Sequence, residues 1–75
     1  MMIKEFDRVV LMISIPEKKL MKGDVGTVVL VYKDGVGYEV EFFTLDGKTF
    51  AVETLKGSDI RPVKSNELSN VREVA

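Results

Sequence analysis

The feature that most constrains this chain is a pair of matched turns, each set between segments rich in β-branched and aromatic residues. The turns are Lys33–Gly35, with the sequence KDG, and Leu45–Gly47, with the sequence LDG. Asp-Gly between alternating apolar residues is a strong hairpin signal, because Gly takes the left-handed conformation without a Cβ clash. Gly and β-branched residues also recur between positions 25 and 54, which disfavours a long helix. The segment therefore predicts three consecutive antiparallel strands.

The burial pattern selects the register of the second hairpin. A three-residue loop at Leu45–Gly47 sets Val40 opposite Val52, and all the large apolar side chains then fall on one face. A two-residue loop would set Val40 opposite Glu53. Because a slip of one residue turns every side chain to the other face, we expect the three-residue loop.

The first hairpin leaves two registers open. The same rule applied to Lys33–Gly35 turns Val28 and Leu30 towards the core, whereas a two-residue loop would turn Val29 and Val31 inwards. This strand is apolar on both faces, so the residues favour neither register decisively. We take the first as the working prediction.

The remaining strands lie at the two ends of the pattern. FDRVVLMI reads as a first strand, and IRPV as a brief last strand that Pro62 places at an edge or at the end of the pairing. Between them, SIPEKKLMKGD is a long first loop, which we expect Leu20 to anchor on the core. The predicted core residues are Val9, Leu11, Leu20, Val28, Leu30, Tyr38, Val40, Phe42, Phe50, Val52, Leu55 and Ile60.

The fold class predicted from this pattern is all-β, a small SH3-like barrel of about five strands. An OB-like barrel is the alternative, but that fold usually has a longer chain and a helix between its strands. We expect the barrel over residues 1–63 and a C-terminal tail over 64–75. The polar tail is typical of a short helix with Ser65 or Asn66 as N-cap, or of a frayed terminus.

Composition excludes several classes of site. The chain has 75 residues, a net charge of −1, and neither His nor Cys, so the commonest general base, metal ligand and thiolate nucleophile are missing. We therefore expect no enzymatic activity, no metal and no cofactor. No apolar run is long enough for a membrane span, and the start MMIKEFDRVV lacks a secretory pattern. These features predict a cytoplasmic location.

The ordered segments FDRVVL, GDVGTVV, YEVEF and LKGSDIRPV, between Ile3 and Val63, resemble a family of small, mostly bacterial proteins. That family is known only as a domain of unknown function, so the resemblance implies an SH3-like fold and no particular activity. A looser similarity, at the level of fold, is to the ferredoxin-docking SH3-like subunits of photosynthetic complexes. The segment from Leu20 to Val31 is similar to the KOW motif of ribosomal and transcription-elongation proteins, but its basic surround is thin.

Gly23 and Gly26 invite comparison with a phosphate-binding loop. A P-loop ends in Lys-Ser or Lys-Thr and opens a helix, and a dinucleotide fingerprint needs a third Gly. KGDVGTVV meets neither requirement. We expect Gly23 at a turn with positive φ and Gly26 at a bulge or a close strand crossing.

Two sets of side chains are candidates for a protein-binding surface. In the predicted register Glu39 lies opposite Glu53, with Glu41 on the same face, so the outer surface of the third and fourth strands is acidic. If Val28 and Leu30 point inwards, Val29 and Val31 point outwards. Such an exposed strip suits a partner or a second copy of the chain.

These surfaces predict a non-enzymatic protein-interaction module that regulates or neutralises a partner protein encoded nearby. The alternative is a weak, KOW-like nucleic-acid-binding barrel. Its candidate phosphate contacts are Arg8, Lys18, Lys19 and Lys22. The charge balance makes nucleic acid the less favoured partner, because a few exposed cations give only weak, salt-sensitive binding.

Overall fold

A computed structural model, which describes residues 2–74, confirms the all-β prediction. Within those residues the chain forms five strands and three short 3₁₀ turns. The strands are β1 (Arg8–Leu11), β2 (Val25–Tyr32), β3 (Gly37–Phe43), β4 (Thr49–Leu55) and β5 (Ile60–Pro62); the turns are Pro16–Lys18, Lys33–Gly35 and Gly57–Asp59. All neighbouring strands are antiparallel, in one sheet of order β4-β3-β2-β1-β5. β5 is an edge strand, as Pro62 predicted. No helix among residues 2–74 is long and apolar enough to cross a membrane.

One face of this sheet carries the core. Buried apolar residues there alternate along the strands, and Ile3 and Leu20 pack against them from outside the sheet. The core cluster consists of Ile3, Val9, Leu11, Leu20, Val28, Tyr38, Val40, Phe42, Leu55 and Ile60, with Ile15, Val31, Phe50 and Ala51 partly buried against it. The predictions for Leu30 and Val52 are wrong, since both are exposed, and Ile3 was not predicted.

A β-bulge at Val29 resolves the first hairpin. Before the bulge in the sequence Val28 lies opposite Val40, and after it Val31 lies opposite Tyr38. Each of the two registers left open by the sequence therefore holds on one side of the bulge. The loop itself is longer than KDG, because the Val36 N–H bonds to the Tyr32 carbonyl at 3.1 Å.

The second hairpin has the predicted three-residue loop but not the predicted register. Gly47 has φ +86°, and its N–H bonds to the Thr44 carbonyl at 2.9 Å. A second bulge, at Phe50, then shifts the pairing by one residue, so that Val40 lies opposite Glu53. A bulge adds a residue to one strand only, and every side chain beyond it changes face.

Gly23 of the first loop and Gly26 of β2 have the structural roles that were predicted. Gly23 has φ +100°, and Gly26 permits a close crossing. A Cβ atom at Gly26 would lie 2.6 Å from Val40 Cγ1. Leu20 is buried and bridges to Ile15, which anchors the loop on the core as expected.

The N-terminal segment ends in a tight turn that presents Phe6 to solvent. Lys4 N–H donates to Asp7 Oδ2 at 2.9 Å and Asp7 N–H to the Lys4 carbonyl at 3.1 Å, while Phe6 N–H bonds to the Val28 carbonyl at 2.6 Å. Phe6 has φ +72° although it is not Gly or Asn, and it is 74% exposed. The turn therefore holds an aromatic residue in a conformation that its Cβ atom disfavours.

The tail forms neither a helix nor a strand over its described part, residues 64–74, so the helix, one of the two alternatives for this segment, is not formed. It is attached to the body of the protein by two Arg–carboxylate pairs, Arg61 with Glu67 and Arg72 with Asp24. These contacts oppose the fraying that the polar sequence favours.

Candidate protein-interaction surface

The two bulges decide which side chains of β2, β3 and β4 point away from the core. We call this solvent side of the three strands the outer face. The side chains on it include two glutamates, three apolar residues and three residues with hydroxyl groups, namely Glu39, Glu41, Leu30, Phe43, Val52, Tyr32, Thr49 and Thr54.

Both oxygens of the Glu39 carboxylate accept hydrogen bonds on the outer face. The Tyr32 hydroxyl donates to Oε2 at 2.9 Å, and the Thr54 hydroxyl donates to Oε1 at 2.5 Å. The bond to Glu39 raises the pKa of Tyr32 above its usual value, since a phenol that donates to a carboxylate keeps its proton. Two donors from different strands thus fix the orientation of this carboxylate.

Glu41 is held in the same way by a neighbouring strand. The Thr49 hydroxyl donates to Glu41 Oε2, and Val52 lies directly opposite Glu41 on β4. Successive side chains of a strand alternate between faces, so Glu39 and Glu41 share the outer face as predicted.

These two carboxylates have hydroxyl partners but no cationic partner in the range 2–74. The ion pairs found there are Lys18–Glu53, Lys48–Asp46, Arg61–Glu67 and Arg72–Asp24. A cation brought by another molecule would therefore meet carboxylates that are already oriented and unpaired by charge.

Glu53 does not join them, which corrects the predicted acidic cluster. The Phe50 bulge sets Glu53 opposite Val40, on the core side of β4, and its side chain is only 16% exposed. Lys18 of the first loop pairs with it at 3.6 Å. The predicted repulsion between Glu39 and Glu53 is absent, because Thr54 occupies the position opposite Glu39.

Val29 and Val31 do not form the predicted exposed strip. Val31 packs against the core, and Val29 is the half-buried residue of the bulge. Leu30, 41% exposed, takes the outward position between them and lies opposite Glu39. That Val29 or Val31 binds a partner stays a prediction, with less exposed surface to support it.

Sequence reasoning missed three apolar side chains of the outer face, Leu30, Phe43 and Val52. Phe43 gave a usable signal, because adjacent Phe42 and Phe43 in a strand must face opposite sides. Leu30 and Val52 gave none, since each faces outwards only because of a bulge one or two residues away.

One of the cations proposed for nucleic acid, Lys18, is paired with a carboxylate of β4. Lys18 is engaged with Glu53, and the Lys19 carbonyl accepts a bond from Arg72. Arg8 lies three residues before Leu11, about 10 Å along β1 from the loop that holds the lysines, Lys22 among them. Nucleic-acid binding by these residues stays a prediction.

Comparison with known proteins gives a family but no function. Residues 5–62 match the model of a family described as Domain of unknown function (DUF4926). No curated protein and no solved structure matches the chain. Over residues 2–74, no group of three or more acidic side chains is placed to hold a metal ion.

Proposed function

The chain belongs to this family, domain of unknown function DUF4926, whose description assigns no activity, and we propose from its surface that it is a non-enzymatic protein-interaction module. Its partner is another protein, which presents basic and apolar side chains to the outer face. Regulation or neutralisation of a partner encoded nearby is the role that we infer for it.

The observation that carries this proposal is the pair of oriented glutamates on an exposed apolar surface. Glu39 and Glu41 are fixed by hydroxyl donors and pair with no cation within residues 2–74. Leu30, Phe43 and Val52 lie exposed around them. Arg or Lys side chains of a partner would gain charge-assisted hydrogen bonds, and burial of the apolar side chains would add non-directional affinity.

Docking on the face is favoured over pairing with the edge of the sheet. β4 is the long edge strand, but it carries a bulge at Phe50 and an inward-pointing charge at Glu53. Both features are devices that discourage a further strand from pairing. β5 is short and ends in Pro62, so it offers little edge either.

The strand order and the long first loop also support the SH3-like interpretation of the sheet. β1 lies between β2 and β5, and the hairpins β2–β3 and β3–β4 follow in sequence to the opposite edge. On that interpretation the outer face is the convex side of three consecutive strands. Folds of this kind host many unrelated functions, so the proposed role rests on the surface rather than on the fold.

Direct binding to the protein encoded by the adjacent gene tests this proposal. The variant Glu39→Gln/Glu41→Gln removes two charges and keeps the shape of both side chains. We expect isothermal titration calorimetry to show affinity weakened by about tenfold or more, because a partner cation would lose its counter-charge. Affinity of the unaltered chain should also fall as ionic strength rises.

A matched control separates this site from overall charge. Glu5→Gln/Glu17→Gln makes the same change of net charge at two exposed positions away from the outer face. Equal loss in both double variants would contradict a specific role for the outer face. If the adjacent-gene protein does not bind the unaltered chain, the idea of a partner encoded nearby is wrong.

A further inference from the structure

The tail is held at its first attachment by a two-pronged contact. Arg61, on β5, donates from Nη1 to Glu67 Oε1 at 2.9 Å and from Nη2 to Glu67 Oε2 at 2.5 Å. The Lys64 N–H also donates to Glu67 Oε1, at 2.6 Å. Planar, bidentate pairing of this kind selects a carboxylate by geometry as well as by charge.

In the second attachment the charges are reversed, because the tail supplies the cation and the body of the protein supplies the carboxylate. Arg72 donates from Nε to Asp24 Oδ1 at 2.8 Å and from Nη2 to Asp24 Oδ2 at 2.6 Å. The same Nη2 donates to the carbonyl of Lys19 at 3.0 Å. Asp24 is itself fixed by the Met21 N–H, which donates to Oδ2 at 2.8 Å. Three oxygens, the two of the Asp24 carboxylate and the Lys19 carbonyl oxygen, therefore accept hydrogen bonds from one guanidinium group.

The tail contributes little else that would hold it in place. Leu68 is 98% exposed and Val71 is 73% exposed, so the apolar side chains between the two attachments face solvent while the charged ones face the protein. Ion pairs at a surface contribute modestly and are screened by salt. The two ion pairs are therefore the main contacts that hold the tail, and loss of both should release it.

The site and its occupant also belong to different parts of the chain. Asp24, Lys19 and Arg61 all lie within residues 5–62, which match the family. The whole tail lies outside that match. The binding groups are thus part of the family domain, and the segment that fills them is an extension beyond it.

We propose that Arg61, Asp24 and the Lys19 carbonyl form a binding site for an extended segment of another protein. That segment carries a carboxylate followed five residues later by an arginine, as Glu67 and Arg72 do in the tail. The tail of this chain is then an intramolecular competitor for the site. This site is separate from the outer face, so either proposal can fail while the other stands.

Competition gives a direct test with the full-length chain. Glu67→Gln/Arg72→Gln weakens both attachments and leaves every residue of the site in place; we call it the tail-released variant. The probe is a synthetic peptide of Gly, Ser and Ala with one Glu and, five residues later, one Arg. In the unaltered chain the tethered tail competes at high effective concentration, so we expect the tail-released variant to bind the peptide at least about tenfold more tightly.

Amide shifts of the ¹⁵N-labelled chain locate the binding. The expected shifts lie at Lys19, Asp24 and Arg61, and the dispersion of the spectrum confirms that the variant is folded. A second peptide with Gln in place of both Glu and Arg is the matched control, and it should bind at least about tenfold more weakly because neither ion pair can form. Adding Asp24→Asn to the tail-released variant should remove the preference.

Several results would overturn the proposal. One is equal binding of the two peptides, and another is equal binding of the first peptide by the unaltered and tail-released chains. Failure of the tail-released variant to bind either peptide would have the same meaning. A concentration-dependent dimer of the unaltered chain, with its shifts at the same site, would assign the site to a second copy instead of a different protein.

Discussion

Thr54 lies opposite Glu39 across the β3–β4 pair and donates its hydroxyl to Glu39 Oε1 at 2.5 Å, while Tyr32 holds the other oxygen from β2. Donors from β2 and β4 therefore fix one half-buried carboxylate of β3. Such order in a surface side chain lowers the entropy that a binding partner would have to remove.

The Tyr32–Glu39 bond predicts a shifted titration. Glu39 raises the pKa of Tyr32 chiefly through the hydrogen bond it accepts. A group whose pKa is raised on folding contributes stability below its unfolded pKa and loses it as pH rises through the folded value. We expect Glu39→Gln to lower the pKa of Tyr32 towards its usual value, measured from the ring carbon that bears the hydroxyl by NMR.

The control for that titration is Glu41→Gln. Glu41 accepts a bond from Thr49 and none from Tyr32, so this variant should leave the Tyr32 pKa where it is. An equal shift in both variants would show that the general negative potential of the face, and not the bond, is responsible.

We expect Phe6 to lower the free energy of unfolding relative to a residue that tolerates positive φ. Its φ of +72° is disfavoured for a residue with a Cβ atom, whereas Asn tolerates the left-handed region. Since the ring is largely exposed, little apolar burial is lost on its removal. We expect Phe6→Asn to raise the free energy of unfolding by about 1 kcal/mol in urea titration. Phe6→Ala, which removes the ring but keeps the strain, should give no such gain.

Gly26 should not tolerate a side chain. A Cβ atom there would meet Val40 Cγ1 at 2.6 Å and Phe42 Cε2 at 2.9 Å, both fully within the core. We expect Gly26→Ala to lower the free energy of unfolding by about 1–3 kcal/mol. Gly37→Ala is the matched control on β3, because its Cβ would have no contact closer than 3.6 Å. A neutral result at Gly26 would mean that the strands separate easily at this crossing.

The strands and the second loop could be predicted because their signals are local. A Gly at positive φ fixes the LDG loop, and alternation places Glu39 and Glu41 on one face. A bulge leaves no comparable signal, since Phe50 and Val29 fit a strand equally well when paired and when extra. Each bulge turned half of its strand over, which moved Glu53 inwards and Leu30 outwards.

The attachments of the tail lay beyond sequence reasoning for a different reason. Asp24 and Arg72 are 48 residues apart, and no periodic pattern links them. Single charged residues in a polar segment predict only solvation, and their pairing depends on where the end of β5 directs the chain. Such contacts can be identified only once the fold is known.

We expect the charge of Glu53 to keep the β4 edge from pairing with a second copy of the chain. Its carboxylate is on the core side of an edge strand, where a neighbouring chain would have to bury it. We expect Glu53→Val to make the average mass in sedimentation velocity rise more steeply with concentration. Thr54→Val, one residue along on the outer face, is the control and should behave like the unaltered chain. Equal behaviour of all three chains would assign protection of the edge to the Phe50 bulge alone.

Acid should release the first attachment of the tail, the pair of Arg61 with Glu67. The Arg61 guanidinium, with help from the Lys64 amide, lowers the pKa of Glu67 to about 2, against an ordinary 4.5. A carboxylate whose pKa is lowered on folding contributes stability above its unfolded pKa and loses it as pH falls through the folded value. Release therefore belongs to the window from about pH 4.5 down to about pH 2.

Glu67 and Arg61 can be followed separately through that window. The Glu67 side-chain carboxyl carbon should titrate with a midpoint near pH 2, and the Arg61 Nε–H resonance should move with it. The second attachment should weaken in acid too. Burial opposes the ionisation of Asp24, but hydrogen bonds from Arg72 and the Met21 amide outweigh burial and lower the pKa of Asp24. In Glu67→Gln the Arg61 resonance should stay fixed across the same range. A Glu67 midpoint at its ordinary value would show that the tail is already released at neutral pH.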